Sequence, residues 1–244
     1  MYRKLFFWAC LAIVLSLTLT TASKASLVAW WRFDDGSGTT AVDSSGNDLD
    51  GTLEGGTQWV GGKIGGAIQF NGSNARVVAP YVPLDSRSFT ITMWVNPVLY
   101  TGEQVVFSTG LSGSNNTDMH YRIGGPNIAA GNVPPRGVRM GFYNNDLDTP
   151  GGLIQDNTWY HITFWYDFAN QNRRIYINGE MEAEGTASPY LGTSSDTIIG
   201  AWGSGQWFQG IIDDVQIYDT PLTEDEILAV MLGQGYPYAS NPSV

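Results

Sequence analysis

From residue 26 onward, apolar and polar positions alternate in short runs that Gly, Asn, Asp and Pro clusters interrupt. A two-residue period sends successive side chains to opposite faces of a strand, and frequent turn residues keep each strand short. The pattern predicts strands over residues 27–33, 67–70, 75–78, 89–95, 104–108, 120–123, 137–143, 159–166, 173–177, 196–199 and 210–218. Many short strands with turn signals between them describe an all-β sandwich or barrel. Two local signals add detail. Asn178-Gly179 follows the alternating run 173–177 and predicts a hairpin whose next strand returns through 181–183. Thr223-Glu224-Asp225-Glu226 has the form of a capping box, and Ile227, Leu228, Val230, Met231 and Leu232 then give a short C-terminal helix with an apolar side, ended by Gly233 and Gly235.

The first 25 residues follow a different rule. Arg3 and Lys4 precede an apolar run, residues 5–19, and Ser23-Lys24-Ala25 supplies small residues for cleavage. This is the form of a signal peptide, and the run is shorter than the ~18 or more apolar residues of a spanning helix. The expected organisation is a signal peptide over 1–25, one domain over 26–235 and a proline-punctuated tail over 236–244. The tail reads either as a frayed terminus or as a linker left from a longer multidomain relative. The expected destination is secreted or extracytoplasmic, with no membrane insertion after cleavage.

Composition narrows the partners. Cys10 is the only cysteine and lies within the leader, so the domain has no disulfide. The net charge is −11, and loss of Arg3, Lys4 and Lys24 with the leader makes it −14. A strongly acidic exported chain repels nucleic acid and suits cations or neutral polymers such as glycans.

Two acidic segments flanked by apolar residues bracket the domain: Trp30-Trp31-Arg32-Phe33-Asp34-Asp35 and Gly210-Ile211-Ile212-Asp213-Asp214-Val215. Alternation turns Asp34 and Asp213 inward and leaves Asp35 and Asp214 solvated. A third acidic run, Glu180, Glu182 and Glu184, places three carboxylates on one face of a strand. Paired carboxylates can hydrolyse glycosides, but a charged edge strand that resists aggregation explains this run better. His161 sits among aromatics as a packed histidine, and His120 has no Ser or Cys partner in a recognisable arrangement. No phosphate loop or zinc motif is present.

Several segments in order carry a resemblance. They are Trp31-Arg32-Phe33-Asp34-Asp35-Gly36-Ser37-Gly38 with Asp43-Ser44-Ser45-Gly46-Asn47, then Gly65-Gly66-Ala67-Ile68-Gln69-Phe70-Asn71-Gly72, and Ser88-Phe89-Thr90-Ile91-Thr92-Met93-Trp94-Val95. Thr158-Trp159-Tyr160-His161-Ile162-Thr163, Arg174-Ile175-Tyr176-Ile177-Asn178-Gly179 and the closing run 210–218 before Pro221-Leu222-Thr223 complete the set. Together they resemble laminin-G-like domains of the concanavalin A-like lectin/glucanase superfamily. The resemblance implies a two-sheet antiparallel jelly-roll sandwich with its first and last strands side by side. It does not imply one activity, because this fold serves binding, adhesion and catalysis.

Two sites are expected on this frame. A structural calcium is implied by the resemblance at Asp34, Asn47 and Asp213, with Asp43 adding a carboxylate; together with turn carbonyls these form the oxygen set that Ca²⁺ takes. The competing reading is that Asp43 and Asn47 only stabilise turns. A ligand site for carbohydrate or another extracellular partner is expected from Tyr100, His120, Tyr121, Arg122, Tyr143, Asn144, Asn145, Asp146, Trp202 and Trp207, with the long insertion 110–136 beside it. Flat aromatic rings stack on sugars while Asn, Asp and Arg bond hydroxyls. Trp94, Trp159, Trp165 and Phe164 are expected in the core. The combined reading is a secreted, calcium-stabilised, non-catalytic binding module. The alternatives are a glycoside hydrolase or lyase using Glu180, Glu182 and Glu184, or a purely adhesive module.

Overall fold

The computed structural model describes residues 25–127, 133–203 and 205–233. The leader up to residue 24, with Cys10, and the tail 236–244 lie outside the described residues. The first strands are β1 (Leu27–Trp31), β2 (Thr40–Ala41), β3 (Gly51–Glu54), β4 (Gln58–Gly61), β5 (Gly66–Asn71) and β6 (Arg76–Ala79). Then come β7 (Phe89–Pro97), β8 (Glu103–Thr109), β9 (Met119–Gly124), β10 (Val138–Gly141) and β11 (Asp146–Asp148). The chain closes with β12 (Tyr160–Asp167), β13 (Asn172–Ile177), β14 (Glu180–Thr186), β15 (Thr197–Ile199), β16 (Gln209–Tyr218) and the helix α1 (Glu224–Met231).

These strands form two antiparallel sheets. One has the order β14-β13-β12-β7-β16-β5-β4 with β1 added beside β16; the other has the order β11-β10-β9-β8-β15-β6-β3-β2. The ten-residue β16 is long enough to serve three neighbours. Residues 209–212 pair with β5, residues 215–218 line up with β1, and the opposite edge pairs with β7. First and last strands therefore lie side by side, as the resemblance implied.

Alternation decides the core. Phe89, Ile91, Met93 and Val95 of β7 and Ile162, Phe164 and Tyr166 of β12 meet Met119, Tyr121 and Ile123 of β9 and Val138 and Met140 of β10 between the sheets. The Tyr121 and Phe164 rings approach to 4.2 Å between centroids, and Phe107 stacks behind Tyr121 at 5.8 Å. Aromatic pairs of this kind add to the area they bury. Tyr121 is thus a core residue and no part of a ligand site. Trp94 and Trp165 are buried, but outside this core. Trp165 belongs to a second cluster with Tyr176, Tyr218, Leu222, Ile227 and Val230, where α1 covers the outer face of the first sheet. Trp159 is only half-buried. These tryptophans fall on the strand positions opposite the core-facing ones, which hydrophobicity alone does not reveal.

The local signals have formed. Asn178 and Gly179 take φ of 53° and 83° in the β13–β14 turn. Thr223 accepts from the Glu226 amide while the Glu226 carboxylate accepts from the Thr223 amide. The short strands β2, β3, β4 and β11 were not predicted; they have two to four residues each, too few for alternation to stand out.

Phe164→Ala is expected to cost about 3–5 kcal/mol of unfolding free energy because it leaves a void opposite Tyr121. Thr223→Ala, which removes half a capping box, is expected to cost about 1 kcal/mol. Denaturant titration of both variants checks the contrast.

Candidate functional site

The bracketing acids come first, since four of them or their neighbours were expected to share an ion. Asp43 is buried, and its two oxygens accept from the Trp30 amide (2.9 Å), the Ser45 amide (2.9 Å), the Ser45 hydroxyl (2.7 Å) and the Leu49 amide (3.1 Å). Burial pushes its carboxyl pKa up, but these bonds outweigh it and hold the value below normal. Asn47 donates to the Leu27 and Val28 carbonyls. The loop carrying Asp43 and Asn47 thus satisfies the edge of β1 that faces away from β16.

Asp34 and Asp213 are engaged elsewhere. Asp34 is exposed, not turned inward as alternation suggested; it pairs with Arg32 at 3.1 Å and accepts from the Gly66 amide at 2.7 Å. One oxygen of Asp213 accepts from the Lys63 and Ile64 amides at 2.8 and 2.9 Å. Both acids therefore grip the turn at Gly62–Gly66. Gly62 and Gly65 are required there, because a Cβ on either would lie 2.5 or 2.2 Å from the carboxylate oxygen it faces.

Trp31 bridges Asp43 on one side and pairs with Val215 of β16 on the other. The side chains of Asp34, Asp43, Asn47 and Asp213 are each hydrogen-bonded to backbone groups. Among the described residues no three His, Cys, Asp or Glu side chains converge as a metal-ligand group. A calcium held by these residues would have to share or replace those backbone partners.

Asp214 is also buried, not solvated as alternation suggested. Between Asp213, opposite Trp94, and Gln216, opposite Thr92, β16 holds one residue more than β7, and Asp214 takes a φ of 49°. This β-bulge sets Asp214 on the same outer face as Gln216, beneath α1, where it accepts from Trp30 Nε1 and from Gln216 at 2.9 Å. Asp35 is exposed, as expected. The remaining oxygen of Asp213 is buried without a partner. Burial, with Asp214 and Asp34 nearby, pushes the Asp213 pKa up to about 7 despite the two amide bonds. The adjoining cavity of about 80 Å³, lined by Trp30, Arg32, Asp34, Ile64 and Asp214, admits only a few waters.

The second candidate lies on the outward face of the other sheet. On β9, Tyr121 and its alternates point to the core, so His120 and Arg122 point outward; on β10, Arg139 does the same between Val138 and Met140. Register places Arg139 between Arg122 and Asp148, and Gly141 between His120 and Asp146. Gly141 has no alternative here, because a Cβ would meet the His120 ring at 2.1 Å.

Charges are paired along this face. Arg122 binds Glu103 of β8, and Glu103 also accepts from the Val133 amide at 3.0 Å. Arg139 forks onto Asp148 at 2.7 and 2.8 Å and reaches Asp146 at 3.0 Å. The bidentate geometry fixes the guanidinium plane. Trp202, from the β15–β16 loop, stands beside them. Arg122 lies 5.1 Å from its ring centre, His120 5.4 Å and Tyr143 6.1 Å. Trp202 Nε1 donates to Gly110 O at 3.2 Å, and buried Asp118 ties down the 110–118 loop through the Ser112 and Gly113 amides.

His120 is neutral. Its Nε2 accepts from the Tyr143 amide at 3.1 Å, so that nitrogen carries no proton. Burial, then Arg122 and Arg139, push its pKa down to about 3, which leaves its 3.7 Å approach to Asp146 without a charge pair. Burial raises the Asp146 pKa against the pull of Arg139 and Arg122. Three polar atoms in this group are buried and unpartnered: His120 Nδ1, Arg122 Nε and Gln206 Oε1.

Of the residues expected to bind ligand, His120, Arg122, Tyr143, Asp146 and Trp202 are brought together. Tyr100 and Trp207 are half-buried and joined by the Tyr100 hydroxyl donating to the Trp207 carbonyl at 2.5 Å. Asn145 serves as a strut: its amide donates to Asn116 at 2.7 Å and its oxygens accept from Arg173. Asn144 donates to Asn115 at 2.9 Å. Glu103, Arg139, Asp148 and Gln206 were missed, although the alternation of 137–143 already set Arg139 apart from its apolar neighbours. The acidic run on β14 lies at a sheet edge, and a bulge at Glu182 breaks its common face. Glu184 pairs with Arg174 at 2.7 Å. His161 is buried against Trp94, and burial lowers its pKa to about 3.

A family model described as the concanavalin A-like lectin/glucanases superfamily matches residues 70–228. Among solved structures, domain 4 of AbnA, a GH43 extracellular arabinanase from Geobacillus stearothermophilus solved with arabinotriose, has a TM-score of 0.65 at 24% identity, covering 86% of this chain and 100% of that one. The binding domain of Paraclostridial Mosquitocidal Protein 1 has a TM-score of 0.64 at 18% identity over 86% of this chain and 52% of that one. The botulinum neurotoxin serotype D binding domain has 0.65 at 16% over 86% and 52%. At these identities the likeness is one of fold. No curated protein sequence matches the chain significantly.

Two outcomes follow from the acids. Asp213 has a raised pKa, so the folded state holds its proton between about pH 4 and 7 while the unfolded chain has released it; its contribution to stability falls as pH rises through that window. His120 and His161, with lowered values, contribute the opposite slope, so the effect is read as a difference. Asp213→Asn should gain stability relative to the unaltered protein as pH rises from 4 to 7 and keep the gain at pH 8, measured by denaturant titration at each pH. Chelation of divalent ions should lower the melting midpoint if a calcium is bound at these acids; an unchanged midpoint leaves the backbone amides as their partners.

Proposed function

The chain belongs to the concanavalin A-like lectin/glucanases superfamily, and we propose that it acts there as a non-catalytic carbohydrate-recognition module. Its ligand site is the outward face around Trp202, His120, Arg122 and Arg139. One observation carries this reading: half-buried Trp202 packs with His120 and Arg122 on the outward side of the second sheet, next to the partly exposed carboxylates of Asp146 and Asp148. An aromatic plane next to groups that can bond hydroxyls is what a sugar ring requires. The arabinotriose held by one structural neighbour supports an oligosaccharide as the kind of ligand.

The same geometry supports binding over hydrolysis. Glycoside cleavage needs one carboxyl to give a proton and another to act as base or nucleophile. Asp146 and Asp148 are both tied to Arg139, and Glu103 is tied to Arg122. His120 is held neutral and cannot serve as an acid near neutral pH. The leader-like residues 1–25 make the module an exported one in this proposal.

Trp202→Ala should weaken retention on immobilised oligosaccharide by roughly tenfold or more, with the melting midpoint little changed. Affinity electrophoresis of the two proteins measures it. A glycan array silent for the unaltered chain would overturn the reading.

A further inference from the structure

We infer that this face selects uncharged glycans and rejects uronic, sulfated or sialylated ones, an inference that rests on the carbohydrate reading above. The argument is one of depth. Arg122 and Arg139, the cations of the patch, have side chains only 9% and 8% exposed and are already paired with carboxylates. The carboxylates of Asp146 and Asp148 are 25% and 28% exposed and form the outer strand β11. A ligand reaching the face therefore meets carboxylate oxygens before guanidinium.

Carboxylates accept protons from hydroxyls and repel other anions. A neutral sugar can donate its hydroxyls to the spare lone pairs of Asp146 and Asp148. A uronate in the same place sets carboxylate against carboxylate, and among the described residues no exposed cation offsets it, because Arg122, Arg139 and Arg173 are buried and engaged. His120, neutral and with a pKa lowered to about 3, supplies no positive charge to change this near neutral pH. The net charge of −11 adds long-range repulsion of the same sign.

The test is affinity electrophoresis of the full chain at low salt in gels containing debranched arabinan, laminarin or galactomannan, against gels containing polygalacturonate or alginate. Retention by at least one neutral polymer, with retention by both anionic polymers roughly tenfold weaker or lost, is the expected result. Equal or stronger retention by an anionic polymer overturns the inference and leaves the carbohydrate reading standing. Retention by none of the five, together with a silent glycan array, overturns both. Asp146→Asn/Asp148→Asn, if folded by circular dichroism, should narrow the gap between the two polymer classes by roughly tenfold, and an unchanged gap counts against the inference. The comparison on the unaltered chain decides the matter even where that variant does not fold.

Discussion

The contact of Tyr121 with Phe164 across the two sheets, at 4.2 Å between ring centres, sets the register on which the outward face depends. Side chains alternate along β9, so burying Tyr121 with Met119 and Ile123 obliges His120 and Arg122 to face the other way. A slip of one residue would drive a guanidinium into the core and an aromatic ring into water, a change no compensating contact could offset. The candidate site is in this sense the far side of the core. Its positions are fixed by packing that it does not touch.

That arrangement has an electrostatic cost, which the sheet itself reduces. Arg122 and Arg139 are cross-strand neighbours with like charge, an unfavourable pair unless each has its own anion. Glu103 answers one from β8, and Asp146 and Asp148 answer the other from β11. Buried ion pairs of this kind add little net stability compared with apolar residues, but removing one partner leaves a charge stranded. Their value is positional: forked bonds hold planar groups beside Trp202 at fixed angles.

At the other sheet the acids work by a different route. Asp34, Asp43 and Asp213 spend their oxygens on backbone amides that no strand partner satisfies: those of the Gly62–Gly66 turn and of Trp30 on the open edge of β1. Buried amides need partners, and carboxylates on adjoining segments provide them. The first and last strands are joined by this means as well as by their ladder. Asp213 is the exception that remains under strain, with one oxygen unpaired and a proton retained toward neutral pH.

The sequence by itself determined the class of fold, most of the longer strands, the Asn178-Gly179 hairpin and the Thr223 cap, because each depends on a period or a turn preference confined to a few adjacent residues. It also brought His120, Arg122, Tyr143, Asp146 and Trp202 forward as candidates, by residue type and by the loops and strands they occupy. Only the tertiary structure decided that Tyr121 is core while its neighbours are not, that Glu103, Arg139 and Asp148 complete the patch, and that a bulge buries Asp214 beneath α1. It also separated Asp43 and Asn47 from Asp213 by a strand. Those outcomes rest on register between segments far apart in the chain, where pairing energy is shared across the sheet and no local pattern records which residue faces which.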